Sequence, residues 1–354
     1  MAKRYSSAGL AIAFIVAAAV AATVTVGASL RSAPHASVQD AGQTRAEILA
    51  LITSLVGRES EKAADRLVAV GEPAVEPLLG ELVAGGQRAQ RACLPLARIG
   101  SPRAVDGVIG ALGADDERVR IAAAAALRFV RTTHAADALA AAAAKGTDGV
   151  RRAAALSLGT LGDPRAVGAL GAMLTSESWW VRADGARSLS GIRTPEAAAL
   201  LVAALDDASG ESRPAIRQAV VAEGEVAGPQ LVKALQHPSE RVRWQAAWAL
   251  GRIGSIGTGA ALVAAIEDPS PTVRREAAVA IARLGSAAPS TADTLAAAVI
   301  PLLGHANPDV RVNAAWALGE LDSTAAVSPL VAALADPVTG WMAAAALGAR
   351  GAPE

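Results

Sequence analysis

The sequence predicts an all-α fold: an α-solenoid of about ten helix pairs preceded by one N-terminal hydrophobic helix. Three observations carry this. A thirteen-residue pattern, V-R-x-x-A-A-x-A-L-G-x-I/L-G, recurs along the chain, read most fully at 242–254 as V-R-W-Q-A-A-W-A-L-G-R-I-G and again at 150–162, 273–285 and from 310 onward. Self-similarity at a period in the twenties to forties is the mark of a repeat array. Apolar residues make up 52% of the chain but aromatics only 3%, so the interior is built from Ala, Leu, Val and Ile, a palette that suits closely packed helices because Ala is the strongest helix former. Finally, 354 residues would ordinarily mean two or three cores, whereas a repeat array lengthens without them.

At the N-terminus, Lys3 and Arg4 precede an uncharged, mostly apolar run over 8–30. At 1.5 Å per residue it reaches ~35 Å, long enough for a bilayer. Its Ala, Gly, Ser and Thr content leaves insertion to Leu10, Ile12, Phe14, Ile15, Val16, Val20, Val24, Val26 and Leu30. The run reads as an uncleaved anchor, with a cleaved signal peptide (Val26-Gly27-Ala28 has the small-residue shape of a cleavage site) or a buried helix as alternatives. Either export reading places the remainder outside the cytoplasm, membrane-anchored or secreted, because the positive charge lies before the run. Residues 31–43 read as a linker and 44–354 as the repeat array.

Counting the Val of the pattern as position 0 places it at Val119, Val150, Val181, Ile216, Val242, Val273 and Val310, with weaker copies ending at Gly71, Gly100 and near Gly351. Each copy is the second helix of a pair. The first helix opens at a Pro or small residue, as at 163–174; Pro suits a first helical turn, where its missing N–H is not needed. Gly at the pattern's end supplies a left-handed stop. Short polar turns join the two helices at 237–239, 268–270 and 307–309, and longer surface loops are expected at 206–214 and 286–294.

These residues resemble the HEAT-like repeat family in its phycobilisome-lyase form, through V-R-x-x-A-A-x-A-L-G-x-L-G-D-P-x-A-V, from about Thr44 to the C-terminus. The resemblance implies a superhelix of antiparallel pairs with the second helices lining a concave surface. It also implies that Arg120, Arg151, Arg182, Arg217, Arg243, Arg274 and Arg311 are scaffold residues pairing with turn acids, of which Asp116, Asp148, Asp268 and Asp309 are nearby.

At 100° per residue, positions 0, 4, 8 and 11 share one arc and form the core face; positions 2, 3, 6 and 10 point away from it. Those four positions carry eight cations and five carboxylates over all copies, a net charge of +3, which argues against a nucleic-acid groove, where many phosphate contacts are needed. Tryptophan concentrates there instead. Trp244 and Trp341 take position 2, Trp248 and Trp316 position 6, and Arg252, Arg275 and Arg283 lie among them. Trp and Arg dominate binding hot spots, so these seven residues are the candidate contact surface for a protein or peptide, while packing between second helices is the competing role for the tryptophans. Trp179 and Trp180 sit at the start of a second helix and read as its cap.

Nothing in the sequence points to catalysis, a cofactor or a metal site. None of His35, His134, His237 and His305 is followed by Glu, as the iron-holding pairs of HEAT-like hydroxylases require. Cys93 is the single cysteine and falls among alanines of other copies, reading as a core residue; no intramolecular disulfide can form. Phycobilin lyases and HEAT-like glycosylases remain enzyme alternatives by resemblance. The N-terminal segment conflicts with the cytoplasmic setting of the first, and the weakly charged face with the basic cleft of the second.

Overall fold

A computed structural model describes residues 38–349 apart from Ala208, with side chains from Thr44. The expected anchor over 8–30 lies outside the described residues. The chain divides into two compact units, 1–50 and 51–354. Among the described residues every regular element is helical, and helix Val38–Ser54 begins within the segment expected to be a linker.

In the second unit the pairs follow as predicted. The ten second helices are Ser60–Val70, Gly86–Ile99, Glu117–Ala126, Asp148–Leu161, Trp179–Leu189, Arg213–Ala222, Glu240–Ile253, Pro271–Ala287, Pro308–Glu320 and Gly340–Ala349. Each stacks on the next, so Glu240–Ile253 packs on Pro271–Ala287, that helix on Pro308–Glu320, and that one on Gly340–Ala349. Ala-rich flanks permit this. Beyond the predicted core (Val242, Ala246 and Leu250, for example), positions 5 and 7 are also buried, as at Ala247 and Ala249 or Ala278 and Ala280. A second helix is therefore enclosed on three sides, by its own first helix and by two neighbouring second helices.

The Gly at position 9 explains how closely those neighbours come. A Cβ on Gly251 would lie 2.7 Å from Ala280 Cα, one on Gly159 2.8 Å from Ser188 Cα, and one on Gly319 2.6 Å from Ala346 Cβ. In each case the neighbour is position 7 of the following repeat. This glycine is a stacking residue inside the helix; the left-handed stops are the later glycines, Gly100, Gly162 and Gly254.

Three expectations need correcting. Position 3 is not exposed from the third repeat onward, where it is half-buried or buried; Gln245 is sealed, its Nε2 donating to the carbonyl oxygens of Leu205 (2.8 Å) and Arg241 (3.2 Å). Residues 286–294 are not a loop: the second helix continues to Ala287, a 3₁₀ turn spans Pro289–Thr291, and the next helix starts at Ala292. The helix does not stop at Gly285, because that glycine sits under Leu321, whose Cδ2 is 2.4 Å from where its Cβ would be. The first helices, in turn, often open with a 3₁₀ turn such as Pro164–Ala166, the α-helix following at Val167.

Candidate partner-binding surface

The arginines at position 1 form a ladder along the turns. Arg243 donates through Nη1 to the carbonyl oxygens of His237 (2.9 Å) and Pro238 (3.0 Å) in its own turn, and through Nε to Asp268 (2.7 Å) in the next. Arg182 does the same with Ser176, Glu177 and Asp207, and Arg311 with His305, Ala306 and Asp336. In all three the acid lies 25 residues downstream. The ladder thus satisfies turn carbonyls within a repeat, as Arg120 also does with Ala114 and Asp115, and through Arg182, Arg243, Arg274 and Arg311 ties a repeat to its successor.

The electrostatics follow from these contacts. Burial opposes ionisation of Asp268, but the bonds from Arg243 and the Ser270 N–H outweigh it and hold the carboxyl below its usual range. Asp336, bonded by Thr339, the Val338 N–H and Arg311, is lowered to about 2. Of the acids named from sequence, Asp268 partners Arg243, Asp309 partners Arg274 (2.6 Å) and Asp148 lies 3.7 Å from Arg151. Asp116 instead caps its helix, accepting the Arg118 N–H at 2.9 Å. Sequence reasoning missed Asp207 and Asp336; the recurring 25-residue offset was the available signal.

Arg217 departs from the ladder. It makes no ion pair or hydrogen bond among the described residues, and its buried Nε has no partner. The reason is the next turn. Its offset is shortened by the 26-residue spacing between Ile216 and Val242, and where the following turn presents Asp268 this one presents His237, whose Nδ1 accepts the Ser239 N–H (3.1 Å). Arg274 faces a similar turn histidine, His305, and reaches Asp309 instead. The residue equivalent to Asp309 for Arg217 is Arg241, a cation already paired with Asp206 at 2.7 Å. Arg217 therefore lies over the rings of Trp244 (5.7 Å) and Trp248 (5.1 Å).

Trp244 and Trp248 are half-buried one turn apart on Glu240–Ile253. The exposed Arg252, a further turn along, stands over Trp248 at 5.8 Å. The exposed Arg275 has no ion pair or hydrogen bond among the described residues, while Arg283 lies 3.7 Å from Glu276 and runs its stem alongside Gly251, its Cδ 3.6 Å from where a Cβ there would be. Trp316, half-buried, and Trp341, 63% exposed, follow on the last two second helices. Among the described residues no ring contact joins either to Trp248. The structure thus gathers Trp244, Trp248 and Arg252 with Arg217, a residue the sequence had assigned to the scaffold.

Elsewhere, Trp179 and Trp180 open helix Trp179–Leu189, where Trp179 is 46% exposed. Cys93 is fully buried, its thiol donating to the Ala89 carbonyl (3.4 Å) and pushed up to about 12 by burial. Glu223 occupies the stacking position 7, where the third to fifth and seventh to tenth repeats hold Ala or Ser. It is 3% exposed, neither oxygen has a partner, and burial pushes its carboxyl up to about 7 against the pull of Arg193. Arg193 itself holds the left-handed backbone (φ 55°) where other repeats have Gly. No group of three or more metal-ligating side chains occurs among the described residues, and no single described helix is long and apolar enough to cross a membrane.

Ten successively stacked second helices with an arginine ladder in the turns before them define an α-solenoid. Residues 86–159, 148–221, 228–300 and 296–354 match the sequence profile of HEAT repeats, and the chain belongs to the HEAT repeat family. Similar solved structures include Kap121p bound to Pho4p (15% identity, TM-score 0.57, 89% of this chain and 42% of that one) and Kap121p itself (14%, 0.55, 93% and 43%). The complex of CpcE and CpcF of phycocyanin lyase from Nostoc sp. PCC7120 also matches (24%, TM-score 0.34, 70% and 93%). This chain spans less than half the length of Kap121p, and at these identities the likeness is one of fold. No curated protein matches the chain.

Proposed function

We propose that the protein is a non-catalytic scaffold that binds a protein or peptide partner along the exposed stripe of its second helices, centred on Trp244, Trp248 and Arg252 and extending through Arg275 and Arg283 to Trp316 and Trp341. The observation that carries this is the cluster of half-buried tryptophans Trp244 and Trp248 with the unpaired arginines Arg217 and Arg252. Large rigid rings and guanidinium groups supply binding energy at low entropic cost, and a row of helices built from nearest-neighbour contacts suits an extended or helical partner. The HEAT fold supports the reading, and the Kap121p structure similar to it holds a bound protein, Pho4p. Residues 8–30 are proposed to export or tether the array, with the solenoid outside the cytoplasm; the mass of the mature N-terminus distinguishes a retained anchor from a cleaved signal.

The test is partner capture by Trp248→Ala and Trp316→Ala, with folding checked by circular dichroism. Loss of at least tenfold in capture by the folded Trp248→Ala protein is expected. Unchanged capture by both folded variants contradicts the proposal.

A further inference from the structure

We propose that the segment received at Arg217, Trp244, Trp248 and Arg252 is acidic: an extended stretch of a partner protein whose carboxylate takes the place of the turn acid that Arg217 lacks. This rests on the reading of the stripe as a docking surface and specifies the chemistry of what docks.

The argument begins with pairing. Arg182, Arg243, Arg274 and Arg311 each bind a carboxylate. Among these neighbouring ladder residues Arg217 is left without an acid, since His237 and Arg241 stand where the two later turns place Asp268 and Asp309. Its Nε is nonetheless buried without a hydrogen-bond partner, and a buried charged donor left unsatisfied is costly. The same neighbourhood holds two further cations without an ion pair or hydrogen bond, Arg252 and Arg275. On the two following second helices, Glu240 accepts a hydrogen bond from Ser270 Oγ and Glu276 lies 3.7 Å from Arg283. Two uncompensated guanidinium groups over two indoles, with the unpaired Arg275 on the next second helix, make a site for planar anions, and Arg binds carboxylates through paired N–H donors.

Phosphate is the other anion such a cluster would bind. The tryptophans argue for a peptide. Nucleic-acid binding by aromatics needs free ring faces on which bases stack, whereas Trp248 already carries guanidinium groups from two helices, Arg217 at 5.1 Å and Arg252 at 5.8 Å, and both rings are half-buried. The balance of 33 basic and 33 acidic residues over the chain supplies no long-range field for a polyanion either.

Fluorescence anisotropy with three labelled dodecapeptides, alternating Glu-Leu, Gln-Leu and Lys-Leu, and with a labelled U12 oligoribonucleotide tests this on the purified full chain. The Glu-Leu peptide is expected to bind tightest and to weaken as NaCl rises from 50 to 300 mM. Arg217→Gln should weaken it roughly tenfold, the scale of one charge-assisted hydrogen bond. Arg241→Gln, which removes the same charge from a residue already paired, should leave it unchanged. Because Arg217 bonds nothing in the ladder, Arg217→Gln should melt with the wild type; should it unfold, the exposed Arg252→Gln gives the same readout. Equal binding of the Glu-Leu and Gln-Leu peptides, both lost in Trp248→Ala, overturns the acidic assignment while leaving the docking surface standing. Tighter binding of the Lys-Leu peptide or of U12 also overturns it. Failure of every peptide to bind overturns it together with the docking surface.

Discussion

Glu223 is the residue whose chemistry departs furthest from its setting. A carboxylate with no hydrogen-bond partner sits where seven other second helices place Ala or Ser, and burial raises it to about 7. An unfolded chain releases this proton near the ordinary Glu value of 4.5, whereas the folded chain retains it to about neutrality. Between those values the native state binds more protons than the unfolded state, so stability falls as pH rises and levels off above about 7. The expected loss is on the order of 1–3 kcal/mol, read as a lower urea midpoint at pH 7.5 than at pH 5. Glu223→Gln should remove this dependence and be the more stable protein at pH 7.5. A wild-type midpoint that is flat or rises over that range contradicts the account of Glu223. The sequence displayed Glu223 openly, but its burial becomes visible only once position 7 is known to face the preceding repeat.

At the scale of the element, the repeat is defined by what happens between helices. The Val-Ala-Leu core and the ten pairs were legible because a 3.6-residue period reports directly which side of a helix meets its partner. The flanking contacts were not, since an alanine on a stacking face and an alanine on an exposed face look the same in sequence. Position 3 was misread for this reason, and the stacking role of the Gly at position 9 was not visible. Gly251→Ala should therefore destabilise by about 1–3 kcal/mol through overpacking against Ala280, although Ala is the better helix former. Gly348→Ala, at the same position of the last repeat with no described atom within 4 Å of its would-be Cβ, should be neutral or slightly stabilising. Thermal melts of both compare them directly, and equal shifts refute the stacking role. The ladder makes a second prediction. The folded-state carboxyl of Asp268 is depressed, so its contribution is present above about pH 4 and is lost as pH falls below that. Asp268→Asn should lower the urea midpoint at pH 7 by an amount corresponding to roughly 1–3 kcal/mol and narrow the gap to wild type at pH 3. Lys62→Ala, which breaks an exposed pair with Glu59, should cause no measurable shift.

Across the whole molecule, architecture and role have different sources. Repeated positions hold the fold, and because each repeat contacts only its neighbours, Gly251→Ala should speed hydrogen exchange in the helices next to the mutation and leave distant repeats unchanged. Function is carried where the repetition fails. The sequence pointed to Trp244, Trp248 and Arg252 because they break an Ala-rich stripe. It concealed Arg217, because an arginine at the scaffold position looks like its six counterparts, each of which bonds a backbone carbonyl or a carboxylate. The short 26-residue spacing and His237 were the traces of that local failure. The central claim is that a protein partner lies against this irregular part of the stripe, and site-specific photo-crosslinking in the native cell tests it most directly. A benzoylphenylalanine replacing Trp248 should give a discrete adduct that is lost when Arg217→Gln is added, while the same probe at the exposed Lys233, on a first helix, gives none. Equal adducts from both positions, or no adduct from position 248 in a folded protein, would contradict it.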